Sequence, residues 1–395
     1  MKRRTFLASL SGMAIGQTLL GCSTQGSSTL RILLLKGSIP VQIRNEFQKY
    51  LGQQGTTARL QFSPETPPAA LFEQLQQWKQ QAAQSGEKGR QPGFPWMGDR
   101  ADLAQPSDLI TLGDFWLETA IRQQLIHPLD VQTLKGWQDL PLVPWHTLVT
   151  RNRQGQPDPK GLVWGVPYRW GSLVLAYRQD QFQRKGLQPP SDWSDLWRPE
   201  LQHRFSLLDS PRVVIGLTLK KLGQSFNTAS PSRIPSLTSE LQSLNRQAKF
   251  YSSDAYLQPL ILGDTWLAVG WSSDVLPLIK RNPSITAVFP RSGTALWADL
   301  WVRPVAQPAE LSPLAREWIS FGWMPPIASQ LSLLSLATSP VVQSLPPDSL
   351  PDALRLNPVL LPNPTSFRSS DFLLPLSAGS ISEYQSLWTT IRQAS

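Results

Sequence analysis

The chain has 395 residues, 41% of them hydrophobic and 9% aromatic, with 37 Lys and Arg against 28 Asp and Glu. That length suits two domains of about 150 residues each, both large enough to bury a core. The formal charge of +9 is scattered, with no Lys/Arg-rich block, which argues against a nucleic-acid partner, and one cysteine excludes a disulfide framework and a Cys-based metal site. His127, His146 and His203 lie far apart and outside HxH, HExxH or HxxE spacing, so neither a metal nor a cofactor is expected.

Lys2, Arg3 and Arg4 precede an apolar segment, Phe6 to Leu20, of about fifteen residues, too short to cross a bilayer core of roughly 30 Å. Residues 1–21 read as a signal peptide. Arg3-Arg4-Thr5-Phe6-Leu7 looks like the twin-arginine export signal, and Leu19-Leu20-Gly21-Cys22 resembles the lipobox of bacterial lipoproteins. Cleavage there leaves Cys22 lipidated at the head of a polar tether, residues 22–29, and several acyl chains hold a protein on a membrane that one would not. The expected location is the bacterial periplasm, anchored to a membrane by lipid.

Leu30–Leu35 reads as a buried strand, Pro40–Tyr50 as a helix with Ile43 and Phe47 on one face, and Ala58–Phe62 as a second strand. Pro67–Ser85 reads as a helix with apolar Leu71, Phe72, Leu75 and Trp78, and Gly86–Pro106 as a long loop. A strand over 107–113 precedes a helix over Phe115–Gln124. Such alternation predicts an α/β fold with a parallel sheet. Beyond Pro144 come a strand in Gly165–Tyr177, a short helix at Asp192–Trp197 and a strand at Arg204–Leu208. Ser210 as N-cap and Pro211 at the first helical position start the next helix, up to Leu222. Helices at Ser236–Gln247 and Ala255–Leu262, strands at Trp266–Trp271, Ala287–Phe289 and Ala295–Val302, and helices at Ala309–Gly322 and Ser380–Arg392 complete the pattern.

In their order and spacing, Asp108–Leu112 running into Gly113-Asp114-Phe115-Trp116, "GVPYRWGSLVLAY", "FSLLDSPRVVIGLTLKKLGQSFNT", "LILGDTWLAVGWSSDV" and "VFPRSGTALWADLWV" resemble the spermidine/putrescine-binding proteins, solute receptors of ABC importers. The resemblance runs from about residue 30 to 330. It implies a two-lobe periplasmic-binding-protein fold of type II, each lobe a mainly parallel sheet flanked by helices, hinged by crossing strands. Its expected division is lobe 1 at 30–143, lobe 2 at 144–297, a return to lobe 1 at 298–345 and a C-terminal helical segment, 346–395, packing on lobe 2. The implied function is capture of a polyamine or related amine in the interlobe cleft and delivery to an ABC permease, by a monomer without catalytic activity. A lipid-anchored scaffold on the same fold, with no transported ligand, is the alternative.

In that family a polyamine lies between aromatic faces with carboxylates at its ammonium ends, held by cation–π attraction and charge-assisted hydrogen bonds. Trp271 falls on a family pocket tryptophan, and Trp297 with Asp299 matches a Trp-x-Asp element whose two side chains share a strand face. Asp114, Phe115, Trp116, Trp170, Asp209 and Ser210 complete the implied ligand-binding set. The chain also departs from the pattern. Ser210 and Val213 stand where the family has Asp and Glu, Asp209 lies one residue early, and Leu35 and Ser38 occupy aromatic pocket positions. Arg169 and Arg212 near the implied cleft leave room for an anion at a helix N-terminus. On this reading Asp299→Asn weakens amine binding about a hundredfold and leaves the fold intact.

Overall fold

Apolar runs become strands and helical periodicity becomes packing faces in the computed structural model, which describes residues 28–87 and 105–393. The signal segment 1–21, Cys22, the first part of the tether and most of the Gly86–Pro106 loop lie outside the described residues. β1 (Ser28–Leu35) starts inside the segment expected as tether, because Ser28 and Thr29 pair in parallel with Ala58 and Arg59 of a second strand. α1 (Val41–Gln53) buries Ile43, Phe47 and Leu51, one residue per helical turn on a single face. β2 (Ala58–Glu65) leads into α2 (Pro68–Glu87), whose Leu71, Phe72, Leu75 and Trp78 are buried against the same sheet. Each such side chain contributes about 1.5–3 kcal/mol relative to exposure.

β3 (Leu109–Gly113) pairs in parallel with β1. The helix expected after it starts as a 3-10 turn at Asp114–Trp116 and turns α-helical only at Leu117–Arg122. Three two-residue strands follow, β4 (Ile126–His127), β5 (Thr150–Arg151) and β6 (Leu162–Val163), before the long β7 (Val166–Arg178). Every residue of β7 up to Tyr177 is buried, so both of its faces are covered.

The second lobe holds β8 (Phe205–Leu207), α3 (Pro211–Lys221), α4 (Leu237–Gln247), β9 (Phe250–Tyr251) and β10 (Leu267–Trp271). α3 begins as expected: Ser210 accepts the Val213 N–H and Pro211 stands at the first helical position. α5 (Ser272–Arg281) was not expected, since Pro277 lies inside it; its missing N–H removes one bond from an otherwise amphipathic helix. β11 (Ile285–Val288) precedes β12 (Ala295–Pro304), the strand that returns to the first lobe. There α6 (Pro313–Gly322) and α7 (Pro325–Ser335) pack, Trp318 of α6 meeting Phe47 edge-on at 5.0 Å between ring centres.

The main sheet runs β2-β1-β3-β12-β7-β10-β8-β9. β1, β2 and β3 are parallel, and so are β8, β9 and β10; along this order β7 and β12 are antiparallel to the strands that flank them and to each other. Two parallel α/β units are thus joined by an antiparallel pair. Two cores flank the pair, one holding Phe47, Trp78, Trp145 and Trp318, the other Trp193, Phe205, Phe226 and Leu241. The C-terminal segment changes sides later than residue 346. Leu350, Leu354, Leu360, Phe367 and Phe372 fill the first core, while α8 (Ala378–Gln393) buries Tyr384 and Ile391 in the second. The passage is fixed at β13 (Asp371–Phe372), where Lys220 donates to Asp371 at 2.7 Å and Asn227 donates to the Phe372 carbonyl at 2.9 Å.

Candidate functional site

Strand register assembles the site where β7 and β12 cross between the lobes. Trp297 stands opposite Gly171, Ala298 opposite Trp170 and Asp299 opposite Arg169, with a bulge after Asp299. Alternation along both strands puts Trp297, Gly171, Asp299 and Arg169 on one face and Trp170 with Ala298 on the other. Trp271, at the end of β10, pairs with Leu173 two residues beyond Gly171 and joins the first group from the neighbouring strand. The expected common face of Trp297 and Asp299 is therefore present, with Trp271 beside it.

Gly171 permits this arrangement. A Cβ there would lie 2.6 Å from Cζ2 of Trp297 and 2.4 Å from Oγ of Ser272, so the indole rests on bare backbone. Ser272 Oγ in turn accepts the Ser172 N–H at 3.0 Å, tying the start of α5 to β7.

Asp299 has a partner that the sequence did not disclose. Nε and Nη2 of Arg169 both donate to its Oδ2, each at 2.7 Å, in a pair whose side chains are 8% and 9% exposed. Burial alone would lower the Arg169 guanidinium, but the charge of Asp299 and the bonds it accepts hold it above its ordinary value. The same guanidinium lies 5.6 Å from the Trp297 ring centre, within cation–π range. Asp114, at the end of β3, accepts the Ala298 N–H at 3.1 Å through Oδ1. Burial lifts its carboxyl to about 7; the Ala298 bond opposes the rise and the nearby Asp299 charge adds to it. Asp114 retains partial surface exposure, which bounds that rise from above.

The other implied residues lie elsewhere. Trp170 is fully buried, 4.9 Å from Phe367 and 6.0 Å from Trp145 between ring centres. It belongs to the first core, because it lies between Arg169 and Gly171 on β7 and so points away from the Trp297 face. Trp116 stacks on Phe72 of α2 at 4.6 Å, whereas Phe115 is 74% exposed. Asp209 is exposed and Ser210 serves as the α3 cap; both follow β8, which β10 separates from β7. Nη2 of Arg212 donates to Asn227 Oδ1 at 2.7 Å and to the Leu374 carbonyl at 3.1 Å, which holds the C-terminal segment. Ser38 is buried and Leu35 packs against the first core. Among the described residues no cluster of three or more His, Cys, Asp or Glu could hold a metal, and no helix is long and apolar enough to cross a membrane. Surface hollows of about 350 to 480 Å³ open elsewhere, at Val143–Pro159, Pro325–Pro351 and Gln76–Leu125; the crossing itself is closed over its charges.

Two α/β lobes joined by crossing strands, with aromatic and charged side chains at the crossing, define the class of two-lobed type II binding proteins. The spermidine/putrescine ABC transporter substrate-binding protein of Streptococcus pneumoniae superposes with a TM-score of 0.74 at 19% identity, over 93% of this chain and 99% of that one. A lipoprotein of Treponema pallidum does so at 0.63 and 15%, over 92% and 99%. The chain belongs to the bacterial extracellular solute-binding protein family, which matches residues 98–345. It is 25% identical over 225 residues to the spermidine/putrescine-binding periplasmic protein of Salmonella typhimurium, covering 57% of this chain and 61% of that protein. It is 26% identical over 264 residues to spermidine/putrescine-binding periplasmic protein 1 of Haemophilus influenzae, covering 67% and 69%. The chain thus spans about three-fifths of the length of the first of these relatives.

Proposed function

We propose that the chain is an exported receptor whose lobes close over a small organic amine, which it delivers to the permease of an ABC importer. The observation that carries this reading is the crossing itself. β7 and β12, which connect the two lobes, also present Trp297, Asp299 and Arg169 on one face, with Trp271 of β10 beside them, so contacts made there bear on the angle between the lobes. Indole faces suit a methylene stem, and the carboxylate of Asp114 suits an ammonium group. The relatives named for spermidine and putrescine support an amine as the solute class. In this reading the protein performs no catalytic step, acts as a monomer in the periplasm, and is tethered through lipidated Cys22.

Small-angle scattering with calorimetry tests it. The mature protein is titrated with putrescine, spermidine and a wider panel of amines, amino acids, sugars and anions. A solute that gives heat is expected to reduce the radius of gyration at saturation. A radius unchanged by every solute would refute the hinged receptor. In the same work Cys22→Ala should release the protein from membranes or block signal cleavage. An unmodified Cys22 in membrane-bound mature protein would refute the lipid tether.

A further inference from the structure

Arg169 changes the chemistry that the crossing can recognise. Its Nε and Nη2 reach Asp299 Oδ2 at 2.7 Å, so the carboxylate suited to an ammonium already has a cation of the chain's own. An incoming ammonium that displaced the guanidinium would leave a buried charge unpaired, a larger loss than one replacement bond returns.

The second observation is a donor without an acceptor. Nε1 of Trp297 is closed off from solvent and has no hydrogen-bond partner. The indole lies on Gly171, whose lack of a side chain leaves no acceptor there but the backbone. A buried N–H is ordinarily paired, and leaving one unpaired forfeits its full desolvation cost. The Arg169 guanidinium, within cation–π distance of the same ring, has five N–H donors, more than Asp299 and the neighbouring Tyr168 hydroxyl engage. The patch therefore has donors to spare, and a solute bearing only ammonium groups brings no acceptor to meet them. Beside it, Asp114 accepts the N–H of Ala298, the residue between Trp297 and Asp299, and lies within reach of the Arg151 charge.

We propose that the solute is an amino-carboxylate: its carboxylate meets Trp297 Nε1 and the Arg169 guanidinium, and its ammonium faces Asp114. This rests on the receptor reading above and narrows it. Arg169 is then the residue that sets specificity, taking the place of one ammonium end of a diamine.

Calorimetry on the mature protein tests this with probes matched carbon for carbon. Putrescine is compared with 4-aminobutanoate, and shorter and longer diamines with their amino-carboxylate counterparts. The best amino-carboxylate should bind at least about tenfold tighter than the diamine of equal length. Trp297→Phe keeps an aromatic face and removes the N–H; it should weaken the amino-carboxylate about tenfold and leave any diamine binding within about twofold. Arg169→Gln should abolish the preference. If that variant fails to fold, the charge-neutral pair Arg169→Gln with Asp299→Asn gives the same reading. A diamine that binds tighter than every amino-carboxylate, or a Trp297→Phe variant with unchanged affinities, would overturn the proposal. Diamine binding with compaction leaves the receptor standing and removes only this inference. Absence of binding by every probe removes the inference too, and compaction with the wider panel then decides the receptor reading by itself.

Discussion

Substituting Asp299→Asn takes away the charge that holds Arg169 while keeping the size of the side chain and one acceptor. Both contacts fall on Oδ2 at 2.7 Å, and the partners are 8% and 9% exposed, so the guanidinium left behind has little access to water. Removing one member of a buried pair costs about 3–5 kcal/mol. The Asn carbonyl retains part of the bond, which lowers the expected loss to about 2–4 kcal/mol. For a cooperative unit of about 150–250 residues, 1 kcal/mol moves the melting midpoint by about 2–4 °C, so the fall should be roughly 5–15 °C. This replaces the expectation that Asn at position 299 leaves the fold intact, which took Asp299 to be free for a ligand. Arg169→Met with Asp299→Leu removes both charges together and should recover most of the loss, since apolar replacements of buried pairs are often neutral or better. Thermal and urea unfolding of the single and double variants measure the coupling. A single variant that melts within about 2 °C of the parent, or a double variant no better than the single, would refute the account of the crossing as charge-locked.

Two further outcomes follow from neighbouring residues. Gly171→Ala places a methyl group 2.6 Å from the Trp297 ring and 2.4 Å from Ser272 Oγ, so it should cost about 1–3 kcal/mol and lower the thermal midpoint; an unchanged midpoint would show that the indole does not rest on the backbone there. Asp114 has a folded-state carboxyl raised to about 7, above its unfolded value, so the folded protein binds the extra proton at mildly acidic pH and loses stability as pH rises from about 4 through 7. The fall is at most about 4 kcal/mol, less in proportion to the partial exposure of Asp114. Asp114→Asn should flatten the profile between pH 5 and 8 in urea titrations, and parallel profiles for the two proteins would contradict the assignment.

The parts of the fold visible in the sequence are those with one clear period. Ile43 and Phe47, or Leu71, Leu75 and Trp78, recur at helical spacing and are buried as that spacing requires. Ser210 and Pro211 mark the start of α3 because a cap is chemistry local to a few residues. Two of the helices that went unrecognised, α5 and α7, carry Pro277 and Pro325-Pro326, and proline in a sequence reads as a break whether it ends a helix or opens one. At the site, the common face of Trp297 and Asp299 is legible because it needs only the period of one strand. Trp170 is not legible, since β7 is buried on both faces and offers no polar alternation to tell the Arg169 side from the core side. The Arg169–Asp299 pair depends on the register between two strands 130 residues apart, interrupted by a bulge, and no local pattern encodes it. Phe115 and Trp116 part company because a 3-10 turn replaces the regular helix expected there.

The two strands that join the lobes are also the floor on which the solute would lie, and that sharing limits how the protein can diverge. In many binding proteins a pocket residue can change while the scaffold beneath it stays the same. Here Gly171, Trp297, Arg169 and Asp299 lie on the connecting strands themselves. A mutation that admits a new solute therefore alters the stiffness and resting angle of the joint in the same event. Under the proposed receptor reading, its lineages should acquire new solutes through paired replacements across β7 and β12, and solitary changes at these four positions should be rare among functional descendants.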